Sequence, residues 1–532
     1  MSARRDSGRD AGGGGFMVRK SFYVTTPIYY TNDEPHIGHA YTTVLADVIA
    51  RFHRLIGEET FFLTGADEHG QKVQDAARAR GLDPLTHCDQ MVVRYQELWR
   101  RLEVRNDDFI RTTEERHKKT VYAFVERLHA AGDIYDSVYE GWYCVPCERF
   151  WTEKDLLPGN HCPLCDRATS PLSERNYFFR MSRHQDWLIR HIEEHPEFIQ
   201  PESRRNEVLG FLRKPLSDLC ISRPRSRLEW GIPLPFDKDY VIYVWLDALV
   251  NYWSAVIDRV RPDGSPWWPA DLHLMAKDIV TTHAVYWPTL LHSAGLPQPR
   301  TILAHGWWLI AETKMSKSLG NVVRPIDMAD RYGHDAFRYF LMRDMVLGQD
   351  ANFSEEALVA RINSDLANDL GNCLNRVERM VQNYFNSVLP GPGEAGEPEQ
   401  KIERVARAAA DAVPQIIGQF KLHAAIEEIL QMVRGTNRYL EEKAPWRAVK
   451  TEGTAAVGPT LWTAAEALRL AACLLSPVMP AKCGEILHRL GVLDDSQALV
   501  ERPLSPDQLQ WGLLPAGRPI RPGQPLFPRV EG

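Results

Sequence analysis

A strand–helix–strand pattern occurs twice in this chain, far apart, and it restricts the fold more than any other feature. Ser21 to Thr26, SFYVTT, is rich in β-branched and aromatic residues and reads as a buried strand. A loop carrying Pro, Asn and Asp follows. Val44, Leu45, Val48, Ile49, Phe52 and Leu55 then recur at helical spacing. Thr60 to Gly65, TFFLTG, reads as the next strand. Strand, helix and strand within about forty-five residues form a βαβ unit, the building block of parallel sheets. The pattern returns as Leu272 to Ala276 (LHLMA), a helix over Val280 to Ser293, and Arg300 to Gly306 (RTILAHG). The expected fold class is α/β. A parallel-sheet domain in two halves, 17–135 and 229–325, is split by an insert over 136–228.

From about residue 355 the pattern turns helical. Leu422, Ile426, Ile429, Leu430 and Val433 make one apolar stripe, and Leu461, Ala465, Leu468 and Leu475 another. A separate all-α bundle is expected over 359–500, reached through a linking segment 326–358 and followed by a Pro-rich tail, 501–532. Leu389 to Glu399, LPGPGEAGEPE, reads as a hinge-like loop between helices. Residues 1–16 have a glycine run and almost nothing apolar to bury, so a disordered tail is expected there. They make a poor secretory or transit signal, which favours the cytoplasm. No run of 18 apolar residues exists, so no membrane span is expected. A net charge of −7 gives no general attraction to nucleic acid, and any such binding must come from local patches.

Three constellations carry chemistry. The first, Pro35 to Ala40 (PHIGHA), directly follows the first strand and opens a helix, where backbone N–H groups favour phosphate. His36 and His39 are three apart and can face one ligand, and Gly38 removes a side chain where a nucleotide would approach. The plainer alternative is a pair of helix-cap histidines. The second is Ala311 to Val323, AETKMSKSLGNVV, past the last strand of the second half. It is a solvated turn or a mobile clamp for a polyanion. In an open parallel sheet both motifs reach the carboxyl edge, where ligands bind. The third is Cys144-x2-Cys147 and, fourteen residues on, Cys162-x2-Cys165. Two such knuckles suit tetrahedral thiolate ligation of one structural zinc. The other five cysteines, Cys88, Cys220, Cys373, Cys473 and Cys483, are scattered, as in a reducing compartment.

HIGH and KMSKS together, on a split nucleotide-binding fold, resemble a class I aminoacyl-tRNA synthetase. YVTTPIYYTNDEPHIGHAYTT, FLTGADEHGQK, VIYVWLDALVNY and AHGWWLIAETKMSKSLGN narrow the resemblance to the methionyl-tRNA synthetase family, from about Phe22 to about Leu490. The resemblance implies a split Rossmann-type catalytic domain, a zinc-binding connective insert that helps position the tRNA acceptor end, and an anticodon-binding bundle. It implies activation of L-methionine with ATP and Mg²⁺, then transfer to the 3′-terminal adenosine of tRNA(Met). His36, Gly38, His39, Asp278, Lys314, Lys317 and Ser318 would contact ATP, with His36, His39, Lys314 and Lys317 as the catalytic groups. Asp67 would bind the substrate ammonium. Ile28, Tyr30, Trp245, Ala248, Tyr252, Ile279 and His283 would enclose methionine, whose polarizable thioether packs well on aromatic edges. Asn372, Arg376 and Trp446 would read the anticodon by hydrogen bonds and stacking. Because the chain stops before the OB-fold that some relatives append, a monomer is expected.

The sequence departs from the family pattern at Ala66, Ala276, Thr281 and Thr282. These bear on nucleotide and pocket contacts and remove no catalytic group. Synthetases for valine, isoleucine or leucine carry an editing domain within the insert, and about ninety residues leave no room for one. A small nucleotidyltransferase would need neither bundle nor knuckles. An RNA-binding paralogue with a dead site would not keep His36, His39, Asp67, Lys314 and Lys317 together.

Overall fold

Among the described residues, fourteen strands precede the KMSKS segment, and the ones that matter most form a single parallel sheet. The structure, a computed structural model, describes residues 21–145, 147, 149–163, 165–310, 313–314 and 323–531, with 149, 313 and 314 described by their backbone. In chain order the first strands are β1 (Ser21–Thr25), β2 (Tyr29–Tyr30), β3 (Glu59–Asp67) and β4 (Asp108–Arg111). The insert supplies β5 (Ile134–Cys144), β6 (Arg149–Trp151), β7 (Ser170–Phe179), β8 (Ile199–Gln200), β9 (Leu219–Cys220) and β10 (Ser222–Pro224). Then come β11 (Tyr240–Ile242), β12 (Leu272–Ala276) and β13 (Thr301–His305). The central sheet runs β2-β3-β1-β12-β13-β8, with β4 also on β3, and every pairing in it is parallel. All five residues of β1 are buried, as expected for a strand covered on both faces.

The chain leaves β1 toward β3 on one side and later returns to place β12 on the other. Between β1 and β12, where Val24 pairs with Leu272, the strand order reverses. That is where open parallel sheets present a crevice at their carboxyl ends.

The expected insert contains one surprise. β8 lies within 136–228, yet Ile199 and Gln200 pair with Ile302 and Leu303 and extend the catalytic sheet. Two residues give no readable period, so pattern alone could not separate them from the surrounding loop. The insert also holds a long antiparallel ribbon, in register from Ile134–Phe179 to Tyr143–Ser170 with the cysteine knuckles at its far end, followed by the helices Gln185–Glu194 and Glu202–Phe211.

The helical part is built from Asn372–Phe385, Glu397–Gly418, Leu422–Lys443, Thr454–Leu475 and Pro480–Arg489. The bundle has no core of its own. One continuous apolar cluster joins Val44, Leu45 and Phe52 of the helix Ile37–Leu55 to Phe337 and Phe340 and on to Leu468 and Leu475. The helix His334–Asp344, on which Phe337 and Phe340 lie, is apolar enough on its buried face to belong to both sides. At this seam lies Arg338, fully buried. It donates to Asp47 Oδ2 at 2.7 Å and to the carbonyls of Leu102, Pro477 and Val478 at 2.9 Å each. Arg51 shares the same carboxylate and reaches the carbonyls of Leu499 and Val500. The Pro-rich tail is packed in: Leu514, Ile520, Leu526 and Phe527 are buried. Among the described residues, no helix is long and apolar enough to cross a membrane.

Candidate active site and metal centre

Because the central strands are parallel, the loops after β1, β3, β12 and β13 leave from one edge. The segment after β1 carries Ile28, then Tyr30 in β2, and then His36. The end of β3 carries Asp67. The turn after β12 carries Asp278 and Ile279, and β13 ends on His305. Tyr30 and Asp67 are paired residues of β2 and β3, so two of the expected methionine contacts stand side by side. Gly65 makes this possible: a Cβ there would overlap the Ile110 carbonyl and crowd Ile28.

His36 and His39 cap the helix Ile37–Leu55. Nδ1 of His36 accepts the Gly38 N–H at 3.0 Å, and Nδ1 of His39 accepts the His36 N–H at 3.2 Å. Their rings stack with centroids 3.9 Å apart. A ring nitrogen that accepts a backbone N–H carries no proton, so a neutral imidazole must hold its proton on Nε2. Burial, and then the neighbouring His36, push the His39 pKa well below the ordinary imidazole value, so His39 is neutral. The cap reading and the ligand reading of these histidines are therefore compatible: capping commits both Nδ1 atoms and leaves both Nε2 atoms as donors. Gly38 is needed for the cap itself, since a Cβ there would sit 2.9 Å from Cε1 of His36.

The pocket helix Val244–Ser254 brings Trp245, Ala248 and Tyr252 to one face by their i, i+3, i+7 spacing. Tyr252 and Ala248 are buried, and Trp245 is half-buried. The Tyr252 hydroxyl lies 2.7 Å from Nε2 of His283, and Nδ1 of His283 lies 3.0 Å from the Ile279 carbonyl. Nδ1 therefore donates, and Nε2 accepts from the tyrosine. Burial lowers the His283 pKa to about 4, so this wall is uncharged at neutral pH. His283 lies in a π-helical stretch, Thr282–Tyr286, a geometry that recurs at functional sites. Tyr30, Asp67, Trp245, Ala248, Tyr252, Ile279 and His283 thus all belong to the sheet's carboxyl edge and the helix covering it. Asp278 is exposed there and accepts from the Trp307 indole at 3.3 Å.

Lys314 pairs with Leu309 across a short antiparallel hairpin just beyond β13. Lys317 and Ser318 lie outside the described residues.

The residue reading passed over the polar group that holds the pocket helix. Asp247, buried beside Trp245 and Ala248, takes His69 Nδ1 on one oxygen and His117 Nε2 on the other, each at 2.7 Å. Burial alone would raise its pKa. His69 and His117 overcome that and hold it at about 2. The hint was present in the sequence, because Asp247 is the acidic residue of WLDALVNY and His69 the imidazole of DEHG. His305 was passed over too. Burial lowers its pKa to about 4, its Nδ1 faces the Gly306 carbonyl, and its Nε2 lies 2.7 Å from the Thr42 hydroxyl, tying β13 to the helix that His36 opens.

Cys144, Cys147, Cys162 and Cys165 are all free thiols, with their sulfurs within 4.8 Å of one another. Cys144 and Cys165 are 3.5 Å apart, and Cys147 and Cys162 are 3.7 Å apart. A tetrahedral zinc with sulfur ligands at about 2.3 Å requires sulfurs about 3.8 Å apart. The donor set fits that ion and leaves no open position.

The anticodon candidates follow a second π stretch, Ile362–Gly371. The Arg376 guanidinium lies over the Trp446 ring at 5.3 Å and pairs with Glu441 at 2.8 Å. Asn372, one turn earlier on the same face, is exposed. With Asn368 and Asn375 it lines a cavity of about 400 Å³ closed on the other side by Pro525 to Arg529.

A doubly wound parallel sheet with paired histidines at the first helix start and a lysine hairpin beyond the last strand defines a class I aminoacyl-tRNA synthetase. The comparisons agree. The family model described as tRNA synthetases class I (M) matches residues 22–170 and 155–378, and that described as the anticodon binding domain of methionyl tRNA ligase matches 389–531. The methionine–tRNA ligase of Caldanaerobacter subterraneus subsp. tengcongensis is 45% identical over 97% of this chain and 80% of its own length. That of Streptomyces coelicolor is 43% identical over 96% of this chain and 97% of its own. The Mycobacterium tuberculosis methionyl-tRNA synthetase bound by methionyl-adenylate superimposes with a TM-score of 0.89 at 40% identity, covering 96% of this chain and 100% of the solved one. The chain belongs to the methionyl-tRNA synthetase family.

Proposed function

We propose that this chain is a methionine–tRNA ligase, acting as a cytoplasmic monomer. It joins L-methionine to ATP as methionyl-adenylate and then passes the aminoacyl group to the 3′-terminal adenosine of tRNA(Met). Family membership supports the substrates. The observation that carries the chemistry is the pair of histidines whose Nδ1 atoms are committed to capping.

In the first step a methionine carboxylate oxygen attacks the α-phosphorus, the α–β bridging P–O bond breaks, and pyrophosphate leaves with the bonding pair. Charge builds on the phosphate oxygens. The Nε2–H groups of His36 and His39 donate to them, fixed in direction before substrate arrives. Lys314, Lys317 and Ser318 close over the triphosphate, and Asp278 contacts the nucleotide. Mg²⁺ arriving with ATP would supply further positive charge for the leaving pyrophosphate. Asp67 pairs with the substrate ammonium. Ile28, Tyr30, Trp245, Ala248, Tyr252, Ile279 and His283 hold the side chain. In the second step the ribose 2′-hydroxyl attacks the carbonyl carbon and AMP leaves. No protein nucleophile is required, and positioning with charge stabilisation supplies the rate.

Residues 17–135 and 229–325 form the catalytic domain in this reading, 136–228 the connective insert and 359–500 the anticodon region. Cys144, Cys147, Cys162 and Cys165 hold one structural zinc that stiffens the end of the ribbon. Asn372, Arg376 and Trp446 meet the anticodon.

One experiment tests both ends. Wild-type protein is expected to support ATP–pyrophosphate exchange with methionine and not with leucine or valine. Trp446→Ala is expected to leave that exchange within about twofold while lowering aminoacylation of tRNA(Met) at least tenfold, the scale of one lost base stack. Absence of methionine-dependent exchange ends the reading. Equal loss in both assays removes the anticodon role.

A further inference from the structure

Among the described residues, one other group of ligand-type side chains converges: Glu103, His334 and Asp335, with their donor atoms within 4.8 Å of one another. It lies far along the chain from the cysteines, at the seam where the catalytic half meets the helices. Glu103 follows the helix Pro84–Arg101 of the first half. His334 and Asp335 open the helix His334–Asp344. Asp335 also accepts the backbone N–H of Lys482, from the helix Pro480–Arg489, at 2.6 Å. Three parts of the molecule thus meet at one point.

The three donor atoms stand close enough together for one ion to reach them all. Nε2 of His334 is 3.1 Å from Oε1 of Glu103 and 3.9 Å from Oδ1 of Asp335. Donors placed tetrahedrally about 2.1 Å from a zinc ion stand about 3.4 Å apart. Asp335 is only 2% exposed, and its Oδ1, which faces the imidazole, has no hydrogen-bond partner. Oε2 of Glu103 is likewise buried with no such partner. A buried carboxylate oxygen left unpaired is costly, and most such atoms in folded proteins are satisfied. Arg338, whose charge is felt by both His334 and Asp335, is committed to Asp47 and three carbonyls. One imidazole thus faces two carboxylates, and two of their oxygens have no hydrogen-bond partner.

We propose that Glu103, His334 and Asp335 bind a divalent first-row cation of the zinc class, which fastens the helix Pro84–Arg101 to the start of the helix His334–Asp344. An imidazole with two carboxylates suits such ions, and water completes the shell. The site is independent of the reaction and of the cysteine centre.

Zinc titration of the full chain without nucleotide tests it, with bound metal counted after equilibrium dialysis. Wild-type protein is expected to take two zinc ions per chain. His334→Ala and Glu103→Gln are expected to take one at the same free zinc, the second affinity falling at least tenfold, with the cysteine-bound ion retained. Glu103→Gln keeps the side-chain shape, so it decides the matter if His334→Ala fails to fold. The second equivalent is also expected to raise the melting temperature of the wild type and not that of Glu103→Gln, as a ligand specific to the folded state does. A wild-type stoichiometry of one overturns the proposal. So does a second ion that both variants keep.

Discussion

His39→Asn is expected to slow methionyl-adenylate formation by about 10²–10³-fold, the range for removing one preorganised donor to developing charge. The choice of asparagine matters. Its amide oxygen stands where Nδ1 stood, so it still accepts the His36 N–H that closes the cap, now at 3.2 Å. What it lacks is a donor at the Nε2 position. Glutamine reaches further and places its NH₂ near that position, so His39→Gln is expected to recover most of the rate. Methionine affinity is expected to change little in either variant, because His39 belongs to the helix start and not to the pocket helix Val244–Ser254. Rapid-quench measurement of adenylate formation, beside a denaturant titration, separates the two jobs of the ring. If His39→Asn keeps full rate, the imidazole is a cap and nothing more. If it loses stability in step with rate, the chemical role is not needed to explain the loss.

Arg338→Met is expected to produce the largest loss of stability, about 3–5 kcal/mol, as when one partner of a buried ion pair is removed. Methionine approximates the volume of the stem but donates nothing. Asp47 would keep Arg51 and the Arg105 N–H. The carbonyls of Leu102, Pro477 and Val478 would lose the donor that Arg338 supplies, inside a region too tightly packed to admit water freely. The adenylation site, built on the sheet's carboxyl edge, contains none of these groups. At low temperature, where the fold persists, exchange activity per folded molecule is expected to stay near wild type. A urea midpoint giving a loss below about 1 kcal/mol would show that the seam is held by its apolar contacts alone.

Sequence pattern made some of this structure readable and hid the rest, for identifiable reasons. β1, β3, β12 and β13 were legible because a strand covered on both faces needs consecutive β-branched and aromatic residues, and SFYVT and TILAH supply them. The cysteine knuckles were legible because their ligands come in close pairs. His36 and His39 were legible as a pair but not in their tautomer, which depends on two backbone N–H groups that only a folded helix start presents. Asp247 was not legible as a link, because its partners lie 178 and 130 residues away. Arg338 and Asp47 are separated by 291. No local period records such contacts. The shared core was hidden for a related reason: an apolar stripe shows that a helix is covered and not what covers it.

The pair Tyr252 and His283 also bears on chemical damage to the substrate of the proposed pocket. The Tyr252 proton goes to His283 Nε2, and the Nδ1 proton of His283 goes to the Ile279 carbonyl. With His283 neutral, these two side chains turn no polar hydrogen toward a bound amino acid. A thioether asks for none. A methionine whose sulfur has been oxidised does, because its new oxygen arrives stripped of water and finds both protons already donated elsewhere. In the proposed pocket, Tyr252 and His283 therefore offer a sulfoxide oxygen no hydrogen-bond donor, which favours the unoxidised thioether.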